Sequence, residues 1–178
     1  EAEAIFTCCG NEMWIPDPHI VNISAYQEYS HKFEPPDDLL KYLEDTLNDS
    51  DYPVKAGQHI EDRGSMLNFS MVGRNCTLQE RKDYFEYDNL TDERQNIAKY
   101  IRENWSDLDA VIGGQISIDI YPKGKDKSQV LKHIEKQHET AEIIFIGDRI
   151  EGGGNDYPLA ALMDNIVNCD WYHTEGWE

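Results

Sequence analysis

The apolar residues of this chain change their period at Pro122, and that change limits the folds open to it. Before Pro122, apolar residues alternate with polar ones or recur at helical spacing. Pro35-Pro36-Asp37-Asp38 opens a helix with acids in its first turn, and Leu39, Leu40, Leu43 and Leu47 follow on one face. Residues 66–73 alternate as a half-buried strand does. Ile116, Ile118 and Ile120 share one face of another strand, whose other face carries Gln115, Ser117, Asp119 and Tyr121. After Pro122, residues 141–147 form a continuous apolar run, as in a strand buried on both faces of a parallel sheet. A helix over 128–137 precedes the run, a helix over 159–163 follows it, and 166–169 supply the next parallel strand. The spacing therefore predicts α+β structure with amphipathic strands over 16–121, and the βαβ half of a doubly wound sheet over 122–178.

Local signals refine this reading. Ile5-Phe6-Thr7 and Met13-Trp14-Ile15 are short strand candidates, the second broken by Pro16 and Pro18. Thr77-Leu78-Gln79-Glu80 is a capping-box pattern, in which a threonine hydroxyl and a glutamate three residues on satisfy each other's end of a helix. Thr91 is expected to cap a longer helix with Ile97, Tyr100, Ile101 and Trp105 on one face. The formal charge of −19 excludes general binding to nucleic acid or to an anionic membrane surface. No apolar run approaches the roughly 20 residues a spanning helix needs. Cys8, Cys9, Cys76 and Cys169 form no Cys-x-x-Cys pair, so they read as free thiols of a reducing compartment, the cytoplasm. Six Asn-x-Ser/Thr sequons, Asn22-Ile23-Ser24 among them, matter only in a secreted chain.

Four groups of residues carry possible chemistry. Asp148 ends the apolar run, and Gly152-Gly153-Gly154 leads to Asn155-Asp156, a hard-oxygen set suited to magnesium. A strand-end aspartate that caps the next helix has the same pattern. Lys127 stands at a helix start, where an amine can hold a phosphoryl oxygen, though a solvated lysine looks no different. Arg63, Arg74 and Arg81 are a dense set in a chain poor in bases. They suit either a bidentate anion clamp or ordinary surface ion pairs. Ser117 and Asp119 point the same way from one strand, a grip for sugar hydroxyls or a plain solvated face.

These groups follow one another in a known order. The stretch Arg63-Gly64-Ser65-Met66-Leu67-Asn68-Phe69-Ser70-Met71-Val72-Gly73-Arg74, continuing to Arg81, resembles the cap signature of eukaryotic-type phosphomannomutases, of the haloacid dehalogenase superfamily. Gly113-Gly114-Gln115-Ile116-Ser117-Ile118-Asp119-Ile120-Tyr121-Pro122, continuing to Lys127, resembles the same family. So does Phe145-Ile146-Gly147-Asp148 with Gly153-Gly154-Asn155-Asp156, which is similar to its metal motif. The resemblance covers about residues 60–178, with Phe6 to Gly10 matching loosely. It implies a Rossmann-like α/β core, incomplete at its N-terminal side, with an inserted α+β cap on an antiparallel sheet. On that reading residues 1–15 and 122–178 are core and 16–121 are cap.

The resemblance further implies that Arg63, Arg74 and Arg81 bind the idle phosphate and that Ser117 and Asp119 hold mannose hydroxyls. Lys127 supports the transferred phosphoryl group, and Asp148, Asn155 and Asp156 form the Mg2+ site. It also implies a hexose phosphate partner and a homodimer through the cap. The family's Asp-x-Asp-x-Thr nucleophile motif does not occur in this sequence. The chain is therefore expected to be a segment of a longer protein and to bind without turnover. A sugar-phosphate phosphatase of the same superfamily and a truncated, non-catalytic binding homologue are the rival expectations.

Overall fold

The computed structural model describes residues 2–17 and 24–175. Pro18 and Asn22 lie outside them. In chain order the elements are β1 (Ile5–Thr7), β2 (Glu12–Pro16), β3 (Ala25–Ser30), α1 (Asp37–Asp49), β4 (Ile60–Asp62), β5 (Leu67–Ser70) and α2 (Leu78–Thr91). Then come α3 (Glu93–Asn104), β6 (Leu108–Gly113), β7 (Ser117–Pro122), α4 (Ser128–Gln137), β8 (Ile143–Gly147), α5 (Tyr157–Met163) and β9 (Cys169–His173). They fall into two compact units. One is Phe33–Lys123, and the other joins the residues up to Lys32 with those from Gly124 onward. The chain is thus mixed α/β, as its change of period predicts.

The Phe33–Lys123 unit is an antiparallel sheet in the order β4-β5-β7-β6. The period of two sends Leu67, Phe69, Ile118 and Ile120 to one face, where they are fully buried with Leu39 and Leu43 of α1, Tyr84 of α2, and Ile97 and Ile101 of α3. Each such side chain contributes about 1.5–3 kcal/mol by leaving water. The helix faces at 39–47 and 97–105, which suit a core or a dimer interface in the sequence, are therefore core. Tyr100 lies off that face: it is exposed and stacks on Tyr42 with ring centroids 4.6 Å apart. The opposite sheet face carries Asn68 and Ser70 beside their register partners Asp119 and Ser117, and all four are buried.

The capping box at α2 forms as expected. The Glu80 N–H donates to Thr77 Oγ1 at 3.2 Å, and the Thr77 N–H donates to Glu80 Oε2 at 2.7 Å. Thr91 does not cap α3. It ends α2, its hydroxyl donating to the Tyr87 carbonyl, and the chain breaks at Asp92 in the left-handed region, φ 54°. The cap comes instead from Asp88, whose Oδ1 accepts the Arg94 N–H at 2.8 Å.

In the other unit, β1, β2 and β3 form an antiparallel sheet. β3 pairs with β2 and lies in the unit that contains the residues up to Lys32. β8 and β9 are parallel neighbours, as predicted, although β9 begins later than 166–169. Burial on both faces does not hold. Ile144 and Ile146 are 57% and 65% exposed, while Ile143 and Phe145 pack on Leu131, Leu159, Met163 and Cys169. Among the described residues α4 and α5 cover a single face of this two-stranded sheet.

Candidate active site

The predicted site residues divide between the two units, and each group stands on its own. In the terminal unit, β8 ends in Gly147-Asp148, and the loop that follows returns to it. A Cβ on Gly147 would lie 2.7 Å from Asp156 Oδ2, so only glycine lets that carboxylate reach the strand end. Asp156 is 2% exposed and fully engaged. Its Oδ2 accepts the N–H groups of Asp148 at 3.1 Å and Arg149 at 3.0 Å, and its Oδ1 pairs with the Lys127 ammonium. The Lys127 ammonium also lies 3.4 Å from Asn155 Oδ1. Lys127, Asp148 and Asp156, with Phe145, Ile146, Gly147 and Thr174, line a pocket of about 410 Å³. The structure thus brings Lys127, Asn155 and Asp156 together, with Asp148 at the rim.

The backbone on either side of Lys127 is held by the turn after β1. Buried Asn11, which follows the tight Cys8–Gly10 turn, donates through Nδ2 to the Lys125 carbonyl at 2.9 Å. Gln129 donates to the Cys9 carbonyl at 3.0 Å. These bonds clamp the entry to α4 against the turn after β1.

Among the described residues no group of three or more histidine, cysteine, aspartate or glutamate side chains is gathered for a metal. Backbone N–H groups and Lys127 bond to both oxygens of Asp156, which holds that carboxylate at the strand end. The other oxygen groups near the strand end are those of exposed Asp148 and of Asn155, whose Oδ1 also faces the Lys127 ammonium. Magnesium is commonly held by one or two carboxylates together with waters and substrate phosphate. The set present fits it in that partly supplied form.

In the Phe33–Lys123 unit, Arg63 follows β4 in a turn closed by its N–H to the Met66 carbonyl, 2.9 Å. Arg74 follows Gly73, whose φ is +88° and where an added Cβ would meet the Ala56 carbonyl oxygen at 2.2 Å. The Arg74 N–H then donates to the Gln58 carbonyl at 2.8 Å. Two separate turns thereby aim two guanidinium groups at one carboxylate. Glu61 Oε2 lies 3.0 Å from Arg63 Nε, 2.6 Å from Arg63 Nη2 and 3.7 Å from Arg74 Nε. The Arg63 hydrogen bond holds the Glu61 carboxyl below its ordinary value, and the charges of Arg63 and Arg74 act in the same direction. Arg81 sits half-buried in the first turn of α2, and no described contact ties it to Glu61.

Ser117 and Asp119 share a face as predicted, but each has an internal partner. Ser117 Oγ donates to the Gly113 carbonyl at 2.8 Å, and Asp119 Oδ1 accepts from Asn68 Nδ2 at 2.8 Å. Asn11, Glu61, Asn68 and Arg94 go unmarked in the sequence reading. Arg94 is 2% exposed; it grips Asp88 at 2.8 Å and donates to the carbonyls of Gly114 and Ser117 at 3.1 and 3.3 Å, which fixes the turn into β7. Its spacing to Ile97 and Ile101, on the buried stripe of α3, was the available signal.

A strand-end aspartate with a returning glycine loop in one unit, and an antiparallel sheet bearing an arginine fork in the other, make this a mixed α/β protein. The model of the eukaryotic phosphomannomutase family matches residues 27–167, and the chain belongs to that family. It is 43% identical to a phosphomannomutase of Drosophila melanogaster over 123 residues, 68% of this chain and 47% of that one. It is 44% identical to that of Encephalitozoon cuniculi over 123 residues, 68% of this chain and 46% of that one. Against that of Arabidopsis thaliana it is 42% identical over 124 residues, 68% and 49% of the two chains. The chain spans about half the length of the curated relatives it matches. Among solved structures, an IMP-bound, N-terminally truncated Plasmodium falciparum IMP-nucleotidase is similar over 84% of this chain and 40% of its own. Its TM-score is 0.44 at 19% identity.

Proposed function

We propose that this chain supplies the sugar-phosphate-binding and phosphoryl-supporting parts of a phosphomannomutase. Such an enzyme interconverts mannose 6-phosphate and mannose 1-phosphate through a phospho-aspartate and a hexose bisphosphate. One observation carries the reading: two guanidinium groups, fixed by separate turns, converge on one oxygen anion in a chain of charge −19. A guanidinium fork matches phosphate in the same way that it matches the Glu61 carboxylate. On this reading Arg63 and Arg74, with Arg81, hold whichever phosphate is idle, and Ser117 and Asp119 orient the hexose hydroxyls from β7. Lys127 supports the phosphoryl oxygens with its ammonium. Asp156 holds that ammonium and the strand end in place.

A magnesium ion, held by Asp148 with Asn155 nearby, would neutralise phosphoryl charge when bound. The cap role of the Phe33–Lys123 unit, a homodimer through it and a cytoplasmic setting rest on the resemblance. The sequence contains no Asp-x-Asp-x-Thr, so the 178-residue chain binds hexose phosphate and does not turn it over. The test is to assay the purified chain with mannose 1-phosphate and magnesium, following both mannose 6-phosphate formation and phosphate release. Neither product is expected. Mutase product would overturn the reading that the chain does not turn over its ligand, and released phosphate without mutase product would favour the phosphatase.

A further inference from the structure

The contact that reveals the arginine fork also fills it. Arg63 and Arg74 do not stand open: a carboxylate of the same chain lies between them, and a single oxygen, Glu61 Oε2, takes two nitrogens of Arg63 and faces Arg74 Nε. The position of Glu61 follows from the sheet. It is the middle residue of β4, an edge strand in register with Asn68 of β5, so its backbone cannot withdraw. Its side chain and those of both arginines are each about one-third exposed, at 33%, 31% and 37%, so the trio meets solvent and any solute anion can reach it. The charge of the trio is +1 with Glu61 ionised, and it would be +2 without that carboxylate.

We infer that Glu61 is a positioning and affinity-setting residue of the phosphate site, an internal carboxylate that occupies the fork and that an incoming phosphate must displace or share. This deepens the clamp reading given above and rests on it. Glu61 keeps the two guanidinium groups together while no ligand is bound, and it lowers the net attraction for phosphate. A site that must release one phosphate and take another during a reorientation is served by moderate affinity. The internal anion supplies it without loss of either arginine.

The experiment is isothermal titration of inorganic phosphate and, separately, of mannose 1-phosphate into the full 178-residue chain, as wild type, Glu61→Gln and Arg74→Ala. Thermal melting of each variant confirms folding. Glu61→Gln is expected to bind both ligands about two- to fivefold more tightly, the range of an exposed ion pair removed as a competitor. Arg74→Ala is expected to bind both more weakly. A merely structural glutamate would not give tighter binding when neutralised. If Glu61→Gln binds equally or more weakly while Arg74→Ala loses affinity, the clamp stands and the role of Glu61 is wrong. If Arg74→Ala has no effect, or the wild type binds neither ligand, the clamp reading itself fails. Should Glu61→Gln melt with loss of structure, Glu61→Asp, which withdraws the carboxylate by one methylene, is expected to tighten binding in the same direction.

Discussion

At the scale of the residue, Asp156 organises the residues at the end of β8 in the terminal unit. It is buried, accepts two backbone N–H groups and pairs with Lys127. Asp156→Ala leaves those donors and an ammonium without their anion, and a loss of about 2–4 kcal/mol is expected in urea unfolding. Lys127→Ala is expected to cost less, because its ammonium is partly exposed and water replaces its bonds. An equal cost for the two would contradict the assignment of Asp156 as the organising group. Glu61 gives a pH effect of known sign. Its carboxyl titrates below 4.5, the ordinary value, so its pairing with Arg63 stabilises the fold above 4.5 and is lost as pH falls through the lowered value. The loss is small, because the pair is partly exposed. Glu61→Gln is expected to flatten stability in that acid window and leave its shape near neutrality unchanged. Asp148 and the glycine loop with Asn155 and Asp156 stand out in the sequence as one set, with Lys127 as a separate one. The internal bonds of Asp156 do not, since a carboxylate that binds a metal and one that binds backbone N–H groups look alike in a sequence.

At the scale of the element, local chemistry was legible and partner-supplied chemistry was not. The α2 capping box is closed by residues within four positions of one another, so its pattern sufficed. The α3 cap comes from Asp88 across a left-handed residue, and the Thr91 pattern misled because that hydroxyl had a nearer acceptor in the preceding turn. Strand β8 was placed by its apolar run, but the run does not say how many of its faces are covered. The α2–α3 corner reaches the site through Arg94, which ties Asp88 to the turn before Ser117. Arg94→Met leaves Asp88 buried without its cation, and a cost of about 3–5 kcal/mol is expected by chemical denaturation. A cost below 1 kcal/mol would show that the turn is held by other contacts.

At the scale of the whole molecule, a net charge of −19 coexists with a small cationic site because the few bases are concentrated and separately anchored. On the proposed reading the charge opposes a polyanion but not a single phosphate, since a bidentate contact acts within a few ångströms and beyond about 10 Å the acids are largely screened at physiological salt. The change of period at Pro122 lies next to the Lys123–Gly124 junction of the two units, whereas the Lys32–Phe33 junction has no comparable mark in the sequence. The central claim is that this family member holds sugar phosphate on its arginine fork. Titration calorimetry of mannose 1-phosphate into wild type, Arg74→Ala, Arg81→Ala and the surface control Lys99→Ala tests it most directly. The account predicts saturable binding by the wild type and by Lys99→Ala, and about tenfold weaker binding by each of the other two variants. Equal affinities across the four proteins would contradict it.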